Sequence, residues 1–323
     1  MRRLMLAMLC ALAWAPIGQA QEWVQERPVR IILPFPPGGA TDLIARIFAE
    51  RVSRDSRHPW LVENRSGANG NIGMAAAAQS APDGYTLGGC TIGNCAINAA
   101  IYARMPFDIA TDLVPVFWSG SVMNALAVRA DHPARDFSGF VDWARGQGNR
   151  ANFSSSGFGA SNHLLGEFLN GRLGLTMQHV PFRGGAPGMQ AVLSGDTHMF
   201  FENVPTLIGA IRGGQLRALA VSGRERDPTL PEVPTLEQAG MPDAVIEPWF
   251  GYMAPRGTPP HIVAALNTLL NRANDDPEVQ ARLRGLGARP EGGPPERFAA
   301  HVQRELARWR EVVEVNRIER ITE

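Results

Sequence analysis

The chain has 323 residues, 45% hydrophobic and 19% charged, with 31 basic and 31 acidic side chains, and every basic one is arginine. That balance argues against nucleic acid as a partner, which needs a basic face to replace phosphate counterions. The length is enough for two domains and a large core.

The chain opens on "MRR", an apolar stretch "LMLAMLCALAWAPI", and "GQA" before Gln21. Residues 1–20 therefore read as a cleaved secretory signal, too short to span a bilayer comfortably and followed by no stop-transfer pattern. Cys10 has no lipobox before it, so no lipid anchor is expected. Losing Arg2 and Arg3 leaves the mature chain slightly acidic, and no later segment is apolar enough to cross a membrane. An exported protein is expected.

"RPVRIILPF" predicts a buried strand. The helix after it carries Leu43, Ile44, Ile47, Phe48 and Val52 on one face, with Thr41 or Asp42 as its N-cap. "WLVEN" predicts a strand, "NIGMAAAAQSA" a short helix, and "YTLGGCT" a strand entered through the turn "PDG". Cys90 and Cys95 follow in "GGCTIGNCAIN", either as a small disulfide staple, which export permits, or as two small buried thiols. No His/Cys cluster with ligand spacing accompanies them, so no metal is expected. "MNALAVRADHP" predicts a strong strand and "DFSGFVDWARGQ" a capped amphipathic helix. "ANFSSSGFGASNHLLGEFLNGRLG" and "MQHVPFRGGAPGMQAVLSG" each read as strand, small-residue loop and helix. "HMFFENVP", "LRALAVSG" and "PWFGYMAP" add strands. The tail is a long helix with Phe298, Val302, Leu306, Trp309 and Val313 on its inner face. Strands alternating with helices predict mostly parallel α/β sheets.

Three loops share one design: "PFPPGGATD" at 34–42, "PFRGGAPG" at 181–188 and "SSSGFGASNH" at 154–163. None is a P-loop or a dinucleotide fingerprint. A strand end, glycines and a helix start aim backbone N–H groups at an anion, and Ser154, Ser155, Ser156 and Ser161 add hydroxyls. If the loops come from two lobes, they face each other across a cleft. The competing reading is a serine hydrolase using a serine of 154–161, His163 or His179, and Asp42 or Asp196. It lacks the G-x-S-x-G elbow, and nothing in the sequence fixes a base beside a nucleophile.

The chain resembles the Bug-type periplasmic solute-binding proteins of tripartite tricarboxylate transporter systems over essentially its whole mature length. The resemblance rests on "PFPPGGATDLIAR", "VENRSGANGNIG", "APDGYTL", "MPFDIATDLVPV", "GASNHLLGEFL", "HVPFRGGAPGMQAVLSG", "GGQLRALAVSG", "LPEVPTLEQAG" and "WFGYMAPRGTP" in that order. It implies a type II periplasmic-binding fold: two doubly wound α/β lobes, residues 21–125 with 247–323 and residues 126–246. Two crossings near 123–130 and 245–254 would join them. It also implies a periplasmic location, capture of a small carboxylate in the cleft, no enzymatic activity and no cofactor. Delivery to membrane subunits or a sensor by a monomer is expected. The residues carried over are Phe35, Pro36, Gly38, Gly39, Ala40 and Asp42 from the first lobe. From the second come Ser155, Ser156, Gly159, Ala160, Ser161 and His163. The far end of the ligand is expected at Thr91, Asn94, Phe182, Arg183, Glu202, Asn203 and Trp249. A carboxylate at Glu202, unless paired, would repel a dicarboxylate and suit a ligand with a donor group. A Cys90–Cys95 pair departs from the family pattern and would stiffen the loop beside the cleft.

Overall fold

The structure is a computed structural model that describes residues 23–315 and 320–321. The expected leader lies outside the described residues. The first half of the chain runs β1 (Val29–Leu33), α1 (Ala40–Asp55), β2 (Trp60–Asn64), α2 (Asn71–Ala78), β3 (Thr86–Thr91), a π-helical turn (Gly93–Ile97), α3 (Asn98–Ile101) and β4 (Leu113–Ser121). It continues through β5 (Asn124–Arg129), α4 (Phe137–Gln147), β6 (Asn152–Ser155), α5 (Ser161–Leu173), β7 (Gln178–Pro181), α6 (Gly185–Ser194), β8 (Met199–Asn203), α7 (Val204–Arg212) and β9 (Leu216–Val221). It closes with β10 (Trp249–Pro255), α8 (Pro260–Asn274), α9 (Pro277–Gly285) and α10 (Pro295–Val315).

The strands form two five-stranded sheets, ordered β2-β1-β3-β10-β4 and β7-β6-β8-β5-β9. In each, three parallel strands are followed by two that run antiparallel to their neighbours. The odd strands have one cause. β10 and β5 are the strands by which the chain enters a sheet from the other lobe, so no crossover helix constrains their direction. Helices cover both faces of each sheet, which buries β1, β3 and β10 almost throughout.

The chain passes between the sheets twice, at Val122–Met123 and again between Ile246 and Trp249. The two crossings lie side by side: the Val122 N–H donates to the Pro248 carbonyl at 2.8 Å, and the Asn124 N–H donates to Ser222 Oγ at 3.0 Å. The first boundary expected, 125/126, falls inside β5. Asn124 and Ala125 already pair with Asn203 and Glu202, so the change of sheet comes two residues earlier.

Each sheet has an apolar layer on both faces. α10 covers one face of the first sheet with Phe298, Val302, Leu306, Trp309 and Val313, all buried and spaced at helical period. Phe298 is fully buried between α10 and Trp118 and Trp249. Truncating it, Phe298→Ala, is expected to lower the unfolding free energy by about 3–5 kcal/mol in urea titrations, with an unchanged denaturant slope.

Candidate functional site

Four helices begin at the gap between the lobes. α1 starts at Ala40, α5 at Ser161, α6 at Gly185 and α7 at Val204. Ala40, Ser161 and Gly185, with Asn203 just before α7, line one small cavity of about 40 Å³. None of these four starts has a side-chain cap from its own N-cap residue. The leading amides of α1 and α7 donate to Thr206 and to the Met123 carbonyl, and Pro205 has none, so it is the α5 and α6 starts and the aligned peptide dipoles that turn positive ends to the cavity.

One carboxylate organises the second lobe's side of it. Glu202, at the end of β8, is 1% exposed. Its Oε2 accepts from Ser156 Oγ and Asn162 Nδ2, both at 2.8 Å, and its Oε1 accepts from Asn203 Nδ2 at 2.9 Å and Thr206 Oγ1 at 3.2 Å. Burial raises its pKa above the usual carboxylate range, while the hydrogen bonds to Ser156, Asn203 and Thr206 pull the other way. The α6 N-terminus approaches so closely that a Cβ on Gly185 would sit 2.7 Å from the Glu202 carboxyl group, so only glycine fits there.

Thr206 carries this network across the gap. Its hydroxyl donates to Glu202 and accepts from the Ala40 N–H at 3.0 Å, the first amide of α1. The lobes therefore touch through an amide–hydroxyl–carboxylate relay. A second cavity of about 210 Å³ opens beside the first and shares Phe35, Asn69 and Ser156 with it. Phe158, Phe182 and Arg183 stand around it.

A sequence profile of the tripartite tricarboxylate transporter family receptor matches residues 44–318. The chain belongs to that receptor family. It is 34% identical to the protein BugT of Bordetella pertussis over 288 residues, covering 89% of this chain and 88% of that one. A protein of R. palustris solved with adipate superposes with a TM-score of 0.88 at 34% identity, covering 92% of this chain and 99% of the other. MatC from Rhodopseudomonas palustris with bound malate gives 0.84 at 34% identity, covering 89% and 99%. The periplasmic binding protein BugD gives 0.88 at 29% identity, covering 92% and 100%. The two-lobed periplasmic-binding fold is thus shared with its relatives.

In this receptor the expected residues divide into three groups. Phe35, Gly39, Ala40, Thr91, Ser156, Ala160, Ser161, Glu202 and Asn203 line the small cavity, and Phe182 and Arg183 line its neighbour. Pro36 and Gly38 sit where the lobes touch, close to Gly184 and Ala186.

The rest serve the walls. Asp42 is not the α1 N-cap; the helix starts two residues earlier, and the Asp42 carboxylate turns back to the Gly38 N–H, to Arg46 and to Asn64. Those partners outweigh the effect of burial and hold its pKa low. Asn94 is fully buried and pins the β3 end by bonding Thr91 and the Gly89 carbonyl. Trp249 faces α10, where its Nε1 donates to Glu305; alternation along β10 brings Phe250 to the cavity instead. Cys90 and Cys95 are joined as a disulfide with Cα atoms 5.8 Å apart.

Gly159 and His163 brace the loop before α5, the Gly159 N–H donating to His163 Nδ1. Ser155 pairs with His179 Nε2 at 2.6 Å, the one Ser–His contact of the hydrolase reading. Ser155 has no exposed surface, and the His179 ring lies between Phe153 and His163. Among the described residues no carboxylate hydrogen-bonds His179. Asp42 is tied to Arg46, and Asp196 accepts from Ser194. Glu167 comes near both imidazoles, with the ligand-type atoms of His163, Glu167 and His179 within 4.8 Å of one another. The two ring centroids lie 4.2 Å apart with the planes tilted by 32°, and one nitrogen of each ring is already hydrogen-bonded.

Sequence reasoning missed Asn69, Asn162 and Thr206. All three are polar and nearly buried, and a buried side-chain amide or hydroxyl is invisible until the fold shows what surrounds it.

Burial drives His132, His163 and His301 down to about 4 and His179 to about 3. Each imidazole is harder to protonate folded than unfolded, so the unfolded chain binds more protons below pH 6.5 and stability is lost as the pH falls from there toward 4. Thermal melts are expected to show this loss, and His163→Gln, which cannot take up the proton, is expected to flatten it.

Proposed function

We propose that this chain is a periplasmic receptor, exported behind a cleaved leader, that captures a small carboxylate-bearing metabolite between its lobes. It is a binding protein without catalytic activity, acts as a monomer, and delivers its ligand to the family's membrane subunits or to a sensor. The observation that carries the reading is the meeting of four helix N-termini around one cavity. Backbone amides bind an anion there without any lysine or arginine. Adipate and malate, the acids held by two structural relatives, support a carboxylate as the ligand class.

A cavity of about 40 Å³ is of water size, well below the volume of an organic acid. Loading therefore requires the lobes to part at the paired crossings, breaking the Ala40–Thr206 contact, and to close again on the ligand. A serine hydrolase has no support from the arrangement of Ser155, whose hydroxyl lies behind the cavity wall.

Two results are expected. Native mass spectrometry of the protein purified from the periplasm, followed by denaturing release, yields a bound organic acid; failing a co-purified ligand, a thermal-shift screen of organic acids, amino acids and aromatic carboxylates finds one that raises the melting temperature. A protein that gave neither would overturn the reading. Gly39→Leu is expected to fold normally, because the Gly39 backbone is extended (φ −81°) and a Cβ there meets no atom within 4 Å. Its larger side chain obstructs the cavity, and calorimetry should show binding lost.

A further inference from the structure

Two side-chain oxygens in the cavity wall have no hydrogen-bond partner. Asn69 Oδ1 and Asn203 Oδ1 are both buried and both unpaired, and both residues line the same small cavity. Asn69 itself is 8% exposed.

Neither atom can be exchanged for the amide nitrogen by turning the side chain over. Asn98 Nδ2 donates to the Asn69 carbonyl at 3.1 Å and to Asn71 Oδ1 at 2.7 Å, which leaves Asn98 Oδ1 facing Asn69 as an acceptor. Asn69 must therefore present its Nδ2 to it, at 2.8 Å, and its own oxygen to the other side. Asn203 turns its Nδ2 to the Glu202 carboxyl group at 2.9 Å, which accepts as the carboxylate. Asn69 Oδ1 is an acceptor by necessity, and Asn203 Oδ1 is one beside an ionised Glu202.

The backbone is arranged to hold Asn69 there. Ala68 and Asn69 both have φ of 46°, in the left-handed region that asparagine tolerates better than most residues. The side chain ends up between the lobes. A Cβ on Gly157 would meet Asn69 Oδ1 at 3.8 Å from the second lobe, and one on Gly93 would meet it at 3.8 Å from the first.

A bare carboxylate satisfies helix N-termini and offers nothing to an acceptor. Leaving buried acceptors unpaired costs binding energy that a donor on the ligand would recover. From this we propose, building on the carboxylate reading above, that the natural ligand carries a hydroxyl or ammonium donor beside its carboxylate. Asn69 Oδ1 and Asn203 Oδ1 select for it. The helix N-termini hold the acid, and the two asparagine oxygens tell a hydroxy- or amino-acid from the unsubstituted acid.

The test uses the mature protein and three matched sets of acids: propionate, lactate and alanine; succinate, malate and aspartate; 3-phenylpropionate, phenyllactate and phenylalanine. Calorimetry is expected to show that, in the set that binds best, a substituted acid binds at least about ten-fold more tightly than the unsubstituted one. The hydroxy and amino arms decide which donor it is. In Asn69→Gly, which keeps the left-handed backbone and removes the oxygen, that preference should fall to near parity. Asn203→Ala should act in the same direction, with circular dichroism confirming the fold of both. Equal affinity for the unsubstituted acid in the native protein would overturn the inference and leave the carboxylate reading standing. So would a uniform loss across each set in Asn69→Gly, or an unchanged preference in both variants. Binding of none of the nine acids would overturn the carboxylate reading and this inference with it.

Discussion

Glu202 is a carboxylate buried at the meeting point of three helix starts, and the second lobe's face of the cleft is built around it. Removing an ionised carboxyl group from water costs several kcal/mol unless donors replace the lost hydration. Here Ser156, Asn162, Asn203 and Thr206 do so, and each comes from a different part of the chain: the loop after β6, the first turn of α5, the end of β8 and the first turn of α7. A single carboxyl group thus fixes the relative positions of elements far apart in sequence. The glycine at 185 is part of the same requirement, because α6 must come within contact distance of that carboxyl group.

The two lobes make different contributions to binding. In the second lobe Glu202 already draws on the polar groups around the starts of α5 and α7. In the first, the leading amide of α1 has no partner of its own and reaches across to Thr206. Thr206 therefore occupies the amide that an incoming carboxylate would want. In the proposed capture cycle, opening the lobes would expose it and closure without ligand would restore the threonine contact. That exchange of one neutral hydroxyl for an anion is a differential interaction of the kind a ligand needs in order to shift a closure equilibrium. In the same proposed cycle the paired crossing segments at 122–123 and 246–248, the two backbone passages between the sheets among the described residues, would supply the hinge.

The loops that look alike in sequence are not the ones that correspond in space. "PFPPGG" and "PFRGG" echo each other, yet the first follows β1, a strand with parallel neighbours on both sides, and the second follows β7, an edge strand. The spatial counterpart of 34–39 is the serine-rich loop after β6, which also has parallel neighbours on both sides. Sheet order, and not loop composition, decides which backbone amides face each other across the cleft.

Much was fixed by sequence alone. Periodicity placed the long α10 and its five inward residues, apolar runs placed the central strands, and small-residue loops marked where helices would begin near a ligand. These signals are local, and local spacing suffices to specify them. The sequence also carried enough ordered motifs to point to the receptor family. What it did not contain was the direction in which polar side chains turn. Asp42 and Trp249 stood in the right segments and faced away from the cavity, one held by Arg46 and the other by strand alternation. Asn162 stood in one of the three marked loops, Asn69 in a motif that served only the family resemblance and Thr206 in no marked segment, yet all three faced the cavity or the carboxylate that shapes it. Arg46 is only four residues from Asp42, but the other partners lie 22 to 166 residues away, and only the tertiary structure brings those within the length of a hydrogen bond.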